Sequence, residues 1–417
     1  MSPIQFTNIC NRPVVPVIDS PQLIYILTEL KPGATMISDR KPLNLTLLLD
    51  RSGSMAGSKL DYLKEAVKRI IDQLGENDTI SIVTFETHTQ VLVPSQLVKD
   101  KNAIKREIDS ITDGGGTNLA SGLREGIQQG QRNLGHDRTN RLVLLTDGEV
   151  TDKEEDSFHE ADKAGGIGLP IIGLGFGKDW NDDFITEIVD RSLKAPGSQS
   201  GHVDYIQEPD DAIKIFQEVY DALKVIASDT TLNIHMVEDL DPLRVWQVTP
   251  VINEMGSQVI QSQAIVIGIG ELDHNGASYL IEMALPPRPE GIVRIGQAEL
   301  FYLLPEIGSQ QEEADIIIEY SNDPVIYNQV DERVMGVVEQ IQAFKLQTQA
   351  LKEAELGQVE IAIQKLHQAV SLLVAQGESE LAEQIQQEVN QLEKFGEISS
   401  KGKKTIKLSS RKTTRFF

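Results

Sequence analysis

The chain lacks most of the features that give a quick identification. Its 417 residues hold one cysteine, Cys10, which excludes an internal disulfide and any CxxC metal or redox site and reads as a small buried hydrophobe. Aromatic residues are only 5% of the total. Apolar stretches such as 171–177 and 264–270 fall far below the roughly 18 residues that a membrane helix needs, so no transmembrane span is expected. The first residues, Met1-Ser-Pro-Ile-Gln-Phe-Thr, show neither the basic nor the apolar region of a secretory signal, and the expected compartment is the cytoplasm. The seven histidines include no i, i+4 pair for a zinc site, and there is no Gly-x-Ser-x-Gly elbow for a serine hydrolase.

Positive charge is also scarce. With 39 basic and 63 acidic residues the net charge is −24, which sets the body against nucleic acid and anionic membrane surfaces. The basic residues cluster at one end: Lys401, Lys403, Lys404, Lys407, Arg411, Lys412 and Arg415 make the last segment +7, which leaves −31 on the other 400 residues. Residues 397–417 are therefore expected to form a basic, disordered tail. Thr405, Thr413 and Thr414 lie among those charges as candidate phosphorylation sites for a Ser/Thr kinase, with Leu408 three residues after Thr405 as a forkhead-associated domain would read it. The alternative is a tail that only lies against its own acidic body.

What is present is a globular composition, 40% apolar and 24% charged, in a length that suits two or three domains. Residues 44–50 form an almost unbroken apolar run, as in a strand buried on both faces of a parallel sheet. Leu60, Leu63, Ala66, Val67, Ile70, Ile71 and Leu74 follow at helical spacing up to Gly75. Strand and helix patterns then alternate to about residue 226, which predicts a doubly wound, Rossmann-like α/β domain over 44–228. Residues 229–322 read as successive strands without helices, an expected antiparallel β-sandwich. Residues 1–43 also read as strands and are expected to join that sandwich, which would make the α/β domain an insertion. Residues 323–396 carry helical stripes divided by Gly357 and Gly377 into three helices.

The residues that carry chemistry are Asp50-Arg51-Ser52-Gly53-Ser54, where the first buried strand ends. Ligands of open α/β sheets bind outside the carboxyl ends of the strands, and here a carboxylate and two hydroxyls meet at that crevice. An all-oxygen set suits a hard cation such as Mg²⁺. Asp113-Gly114-Gly115-Gly116-Thr117 adds another hydroxyl, and the strand over 141–146 delivers Asp147. A phosphate loop fits poorly: in Gly53-Ser-Met-Ala-Gly-Ser-Lys59 the second glycine is one residue early and the lysine does not follow it directly. The plain alternative is that Asp and Ser at strand-to-helix junctions act as N-caps.

This set closely resembles the von Willebrand factor A (vWA) family and its metal-ion-dependent adhesion site (MIDAS), whose pattern Asp-x-Ser-x-Ser, Thr and Asp is met by Asp50, Ser52, Ser54, Thr117 and Asp147. The resemblance implies that Ser52 and Ser54 hold Mg²⁺, or another divalent cation such as Mn²⁺ or Ca²⁺, directly. It gives Asp50 and Asp147 a direct or water-mediated role, and brings Thr117 in when a partner is bound. It also implies an open position taken by an Asp or Glu carboxylate of a partner protein. The leading expectation is an intracellular protein-binding module, a scaffold or signalling component and not an enzyme, because no histidine in the motif loops offers a general base. The alternatives are a structural scaffold with a metal-stiffened vWA domain and, less favoured, a metal-dependent hydrolase.

Overall fold

In the computed structural model, residues 3–33, 41–147, 153–177, 180–193, 202–206, 211–305 and 307–411 are described. The chain divides into two compact units, one of Met1–Met36 with Asp229–Phe417 and one of Ile37–Ser228. The first unit opens with strands β1 (Ile4–Cys10), β2 (Val14–Pro16) and β3 (Gln22–Pro32).

The second unit runs β4 (Leu43–Asp50), α1 (Ser58–Gln73), β5 (Thr79–Phe85), β6 (Thr89–Leu97), α2 (Lys101–Asp109), α3 (Leu119–Gln131), β7 (Thr139–Thr146), α4 (Glu154–Ile167), β8 (Ile171–Phe176), α5 (Asp182–Arg191), β9 (His202–Ile206) and α6 (Asp211–Ala222). Its sheet has the order β6-β5-β4-β7-β8-β9, with β6 antiparallel to β5 and the rest parallel. Every residue of β4 and β5 is buried: β4 runs mostly apolar, whereas β5 alternates and buries Thr79 and Ser81 through hydrogen bonds with Leu43 O and Thr46 Oγ1. One face of β4 packs Leu45, Leu47 and Leu49 with Leu63, Val67 and Ile70 of α1 and with Phe216 and Val219 of α6. The other face takes α3 at close range: a Cβ on Gly122 would lie 3.0 Å from Phe85, and one on Gly126 would lie 3.1 Å from Leu142. From β4 the chain steps to β5 on one side and later returns to β7 on the other, so the strand order reverses between β4 and β7 and opens a crevice at their carboxyl ends.

The first unit continues with β10 (Val225–Met236), β11 (Asp241–Thr249), β12 (Asn253–Met255), β13 (Ile260–Gln261), β14 (Ala264–Asp273), β15 (Ala277–Leu285), β16 (Gly291–Leu304) and β17 (Gly308–Ser321). Two sheets result, β1-β3-β15-β11-β12 and β13-β14-β10-β16-β17-β2. β3 lies between β1 and β15 and is antiparallel to both, whereas β2 runs parallel to β17, which departs from a purely antiparallel arrangement. Helices α7 (Pro324–Tyr327), α8 (Glu332–Glu355), α9 (Val359–Ala375), α10 (Ser379–Phe395) and α11 (Ser400–Lys407) complete the unit. α8 serves two cores. Val334, Val337, Val338 and Ile341 pack with Leu27, Trp246 and Leu280 of the first sheet, while Ala343, Ala350 and Leu351 pack with Leu366, Ile385 and Leu392 of the following helices.

The expected disordered tail is corrected by the structure through residue 411. α11 is capped by Ser399, whose Oγ accepts from Gly402 N at 2.9 Å and donates to Glu388 Oε1 at 2.8 Å. Ile406 is fully buried in the helical core, and Thr405 is only 2% exposed. Beyond the helix, Arg411 O accepts from Ile252 N at 2.7 Å. The basic residues concealed this anchoring because Lys404 is itself almost fully buried and only Ile406 supplies a large fully buried apolar side chain. Thr405 is thus not the accessible site expected, and Thr413 and Thr414 lie outside the described residues.

Two outcomes follow from this packing. A basophilic kinase should leave Thr405 unmodified in the folded protein and phosphorylate it only after denaturation, as mapped by mass spectrometry; stoichiometric modification of the native chain would overturn the burial. Leu27→Ala, which truncates a side chain 1% exposed between Trp246, Leu280 and Val334, should cost about 2–5 kcal/mol in denaturant unfolding.

Candidate metal centre

The site begins with a carboxylate that water does not reach. Asp50 closes β4 and is 0% exposed. Its Oδ1 accepts from Ser52 N at 2.8 Å and its Oδ2 from Thr146 Oγ1 at 2.6 Å, which fixes the group between the ends of β4 and β7. Burial pushes its pKa from the ordinary 3.8 up to about 6; the two hydrogen bonds oppose that shift, and the charge of nearby Asp147 adds to it.

From Asp50 the chain turns into a short 3₁₀ helix, Gly53–Met55, pinned by the fully buried Met55. Ser52 occupies the cap position, yet its side chain makes no capping bond. Instead Ser52 Oγ lies 3.1 Å from Ser54 Oγ, and Ser54 Oγ donates to Asp147 Oδ1 at 2.7 Å. This geometry disfavours the capping explanation of the motif: the hydroxyls turn toward a carboxylate on the next strand. Four of the five expected residues, Asp50, Ser52, Ser54 and Asp147, are joined by these bonds.

Thr117 is held in a loop tied to the same place. Gly114 N donates to Arg51 O at 2.9 Å, Gly53 N to Gly115 O at 3.2 Å, and Asn118 N to Glu86 O at 2.8 Å. Gly115 has φ +71°, and a Cβ there would fall 1.9 Å from Glu86 Oε2, so this turn needs glycine. Arg51 braces the loops, donating to Thr112 O at 3.2 Å and pairing with Glu86 Oε1 at 3.2 Å. Thr117 itself is 4% exposed, and Asn118 after it caps α3 through Ser121 N at 3.1 Å.

One participant escapes the motif reading. Lys59, in the first turn of α1, forms an ion pair with Asp147 Oδ2, the oxygen that Ser54 does not use. The signal was available in its position: a cation in a helix's first turn opposes the helix dipole and needs a compensating anion. Arg51, Glu86 and Thr146 likewise fall outside the pattern but hold its members in place. The donor set fits a hard divalent cation, being two carboxylates and neighbouring hydroxyls converging in a crevice where a cationic ammonium is already drawn to one carboxylate. Among the described residues, no group of three His, Cys, Asp or Glu side chains gathers to offer another kind of site.

Residues 44–222 match the von Willebrand factor type A domain family. The chain carries a vWA domain. Residues 332–415, which include α8 to α11, match a second family, the Sll0103-like C-terminal alpha-helical domain. The relative "Uncharacterized protein sll0103" of Synechocystis sp. is 30% identical over 64% of this chain and 63% of its own length. Human inter-alpha-trypsin inhibitor heavy chain H3 is 30% identical over 34% of this chain and 17% of its own. The chain thus spans less than two thirds of the length of these curated relatives. In fold it is similar to the solved structure "von Willebrand factor type A from Catenulispora acidiphila", with a TM-score of 0.73, 18% identity, and coverage of 99% of this chain and 97% of that one. Domains of the vWA family mediate protein interactions and often bind a divalent metal. No helix among the described residues is long and apolar enough to cross a membrane.

The burial of Asp50 has a measurable sign. Because the folded protein keeps this proton up to about pH 6 while the unfolded chain loses it near 3.8, cation-free stability falls as pH rises through that window. In chelator, Asp50→Asn should gain stability relative to wild type between pH 4 and 7.5, by up to about 3 kcal/mol in denaturant unfolding. A difference between the two proteins that does not change with pH would show that the carboxylate is not desolvated.

Proposed function

We propose that the chain is a protein-binding module that captures an Asp or Glu carboxylate of a partner through a divalent cation, Mg²⁺ in the first instance, held by Asp50, Ser52, Ser54 and Asp147, with Thr117 joining when the partner is bound. The observation that carries this reading is the hydrogen-bonded run from Ser52 Oγ through Ser54 Oγ to Asp147 Oδ1, beside the buried Asp50. Oxygen donors so preorganised suit a small, hard cation, and such a cation supplies a concentrated positive charge for a carboxylate. Ser54 is exposed, so the site opens outward from the buried Asp50. The surrounding loops, built on exposed Asp113 and on the Gly114–Gly116 backbone, supply the selectivity of that face.

The module has no catalytic role in this reading, since its oxygens are committed to the cation and its neighbours. Its two further sheets, read as the halves of a β-sandwich, and the helical domain present the vWA domain as part of a scaffold. The proposed compartment is the cytoplasm, and Cys10, whose burial pushes its thiol up to about 12, is suited to remaining an unreactive thiol there.

Calorimetric titration with Mg²⁺ tests the site. Asp50→Ala, and Ser52→Ala combined with Ser54→Ala, should abolish binding, because the oxygens left are too few to offset the dehydration of the cation. Unchanged affinity would refute the assignment. Thr117→Ala should weaken capture of proteins retained in Mg²⁺ and released by chelator, while leaving Mg²⁺ affinity within about threefold of wild type; equal losses in both assays would make Thr117 an ordinary ligand.

A further inference from the structure

The two oxygens of Asp147 are divided between different partners. Oδ1 accepts from Ser54, on the side of the serine hydroxyls, and Oδ2 is taken by the Lys59 ammonium. The Asp147 side chain is fully buried, whereas that of Lys59 is 31% exposed, so the ammonium reaches the carboxylate from the rim of the site. Gly177, at the end of β8, lies alongside: a Cβ there would be 3.5 Å from Lys59 Nζ. Among the described residues, no other basic side chain forms an ion pair with Asp50 or Asp147, and the neighbouring Arg51 is paired with Glu86.

We propose that Lys59 sets the net charge of the cation-loaded face, reducing its affinity for the metal and increasing its affinity for an anionic partner group. The proposal rests on the metal-centre reading above. Two carboxylates with one ammonium leave one negative charge, so a divalent cation converts the face to one positive charge. Without Lys59 the same cation would be neutralised by the two carboxylates and would attract an incoming carboxylate less strongly. Because Lys59 bonds Oδ2 and leaves Oδ1 to the hydroxyl side, it can stay in place when the site is loaded. It is a positioning residue that also orients Asp147. At an effective dielectric near 20 a fixed charge this close has a large effect on both equilibria.

The test uses the full chain with Mn²⁺ as the metal and acetate as the carboxylate probe. Mn²⁺ affinity is read by electron paramagnetic resonance, and acetate binding by the paramagnetic relaxation of its ¹³C signal. Lys59→Met should bind Mn²⁺ about tenfold or more tightly than wild type and relax acetate several-fold less at equal Mn²⁺ occupancy. Lys59→Arg should restore both values, which a purely structural role for the side chain would not require. Lys59→Gln, which keeps a hydrogen-bond donor without the charge, should follow Lys59→Met and gives the comparison if the methionine variant fails to fold. Equal Mn²⁺ affinity in wild type and both uncharged variants, or acetate relaxation that does not fall, would overturn the role of Lys59 and leave the metal centre standing. Wild-type protein that binds no Mn²⁺, or binds it as well after Asp50→Ala, would overturn the metal centre itself and this proposal with it.

Discussion

The second unit is organised around a carboxylate placed where water cannot solvate it. β4 spends seven buried residues before Asp50 reaching the crevice, and the strand order reverses at that point, so backbone from β7 and from the loop after β5 must close around the acid. A buried carboxylate is tolerated only when its lone pairs are met, and here Ser52 N and Thr146 Oγ1 meet them. The hydroxyls of Ser52 and Ser54 and the second carboxylate of Asp147 then fall into one hydrogen-bonded group. In the proposed function the cost of desolvating Asp50 is the thermodynamic opening for a cation, which would restore the charge compensation that the strand removed.

Around that acid the loops are held by backbone as much as by side chains. Arg51 O and Gly115 O each accept from the opposite loop, and Glu86 O receives the N–H that starts α3. This is why α3 packs so closely on the sheet through Gly122 and Gly126: the helix axis must come near enough for its first residue to bond the end of β5.

The α/β pattern was legible because β4 is buried on both faces and runs mostly apolar, while α1 is buried on one and spaces its apolar residues helically. Asp50, Ser52, Ser54 and Asp147 were legible as a group because a motif at a strand end states where its side chains go. Lys59 was legible only as a cation out of place in a helix's first turn; its partner lies 88 residues away, and α1 and β7 bring the two together. The C-terminal segment misled for a different reason. Charge counting weighs Lys404 as fully solvated, but it is almost fully buried, and Ile406, the Ser399 cap and the bonds of Ser410 to Gln347 and of Arg411 to Ile252 dock the segment. Likewise the parallel pairing of β2 with β17 joins residues some 300 apart, and no local pattern encodes it.

The pairing of β3 with β15 also constrains how the protein is made. Leu27 meets Leu280, so the N-terminal strands leave the ribosome long before their partner exists. At about 5–20 residues per second, synthesis of the intervening chain takes on the order of 10 to 50 seconds. During that time residues 37–228 emerge as a unit with its own core, while β3, paired with β1 on one edge, waits with the other edge unpaired. Unit one can close only after α8 has been synthesised, because that helix covers the Leu27 core. The nascent chain thus carries a strand with one open edge from the synthesis of β3 until β15 emerges, and this interval is where a holding chaperone has its greatest effect on yield.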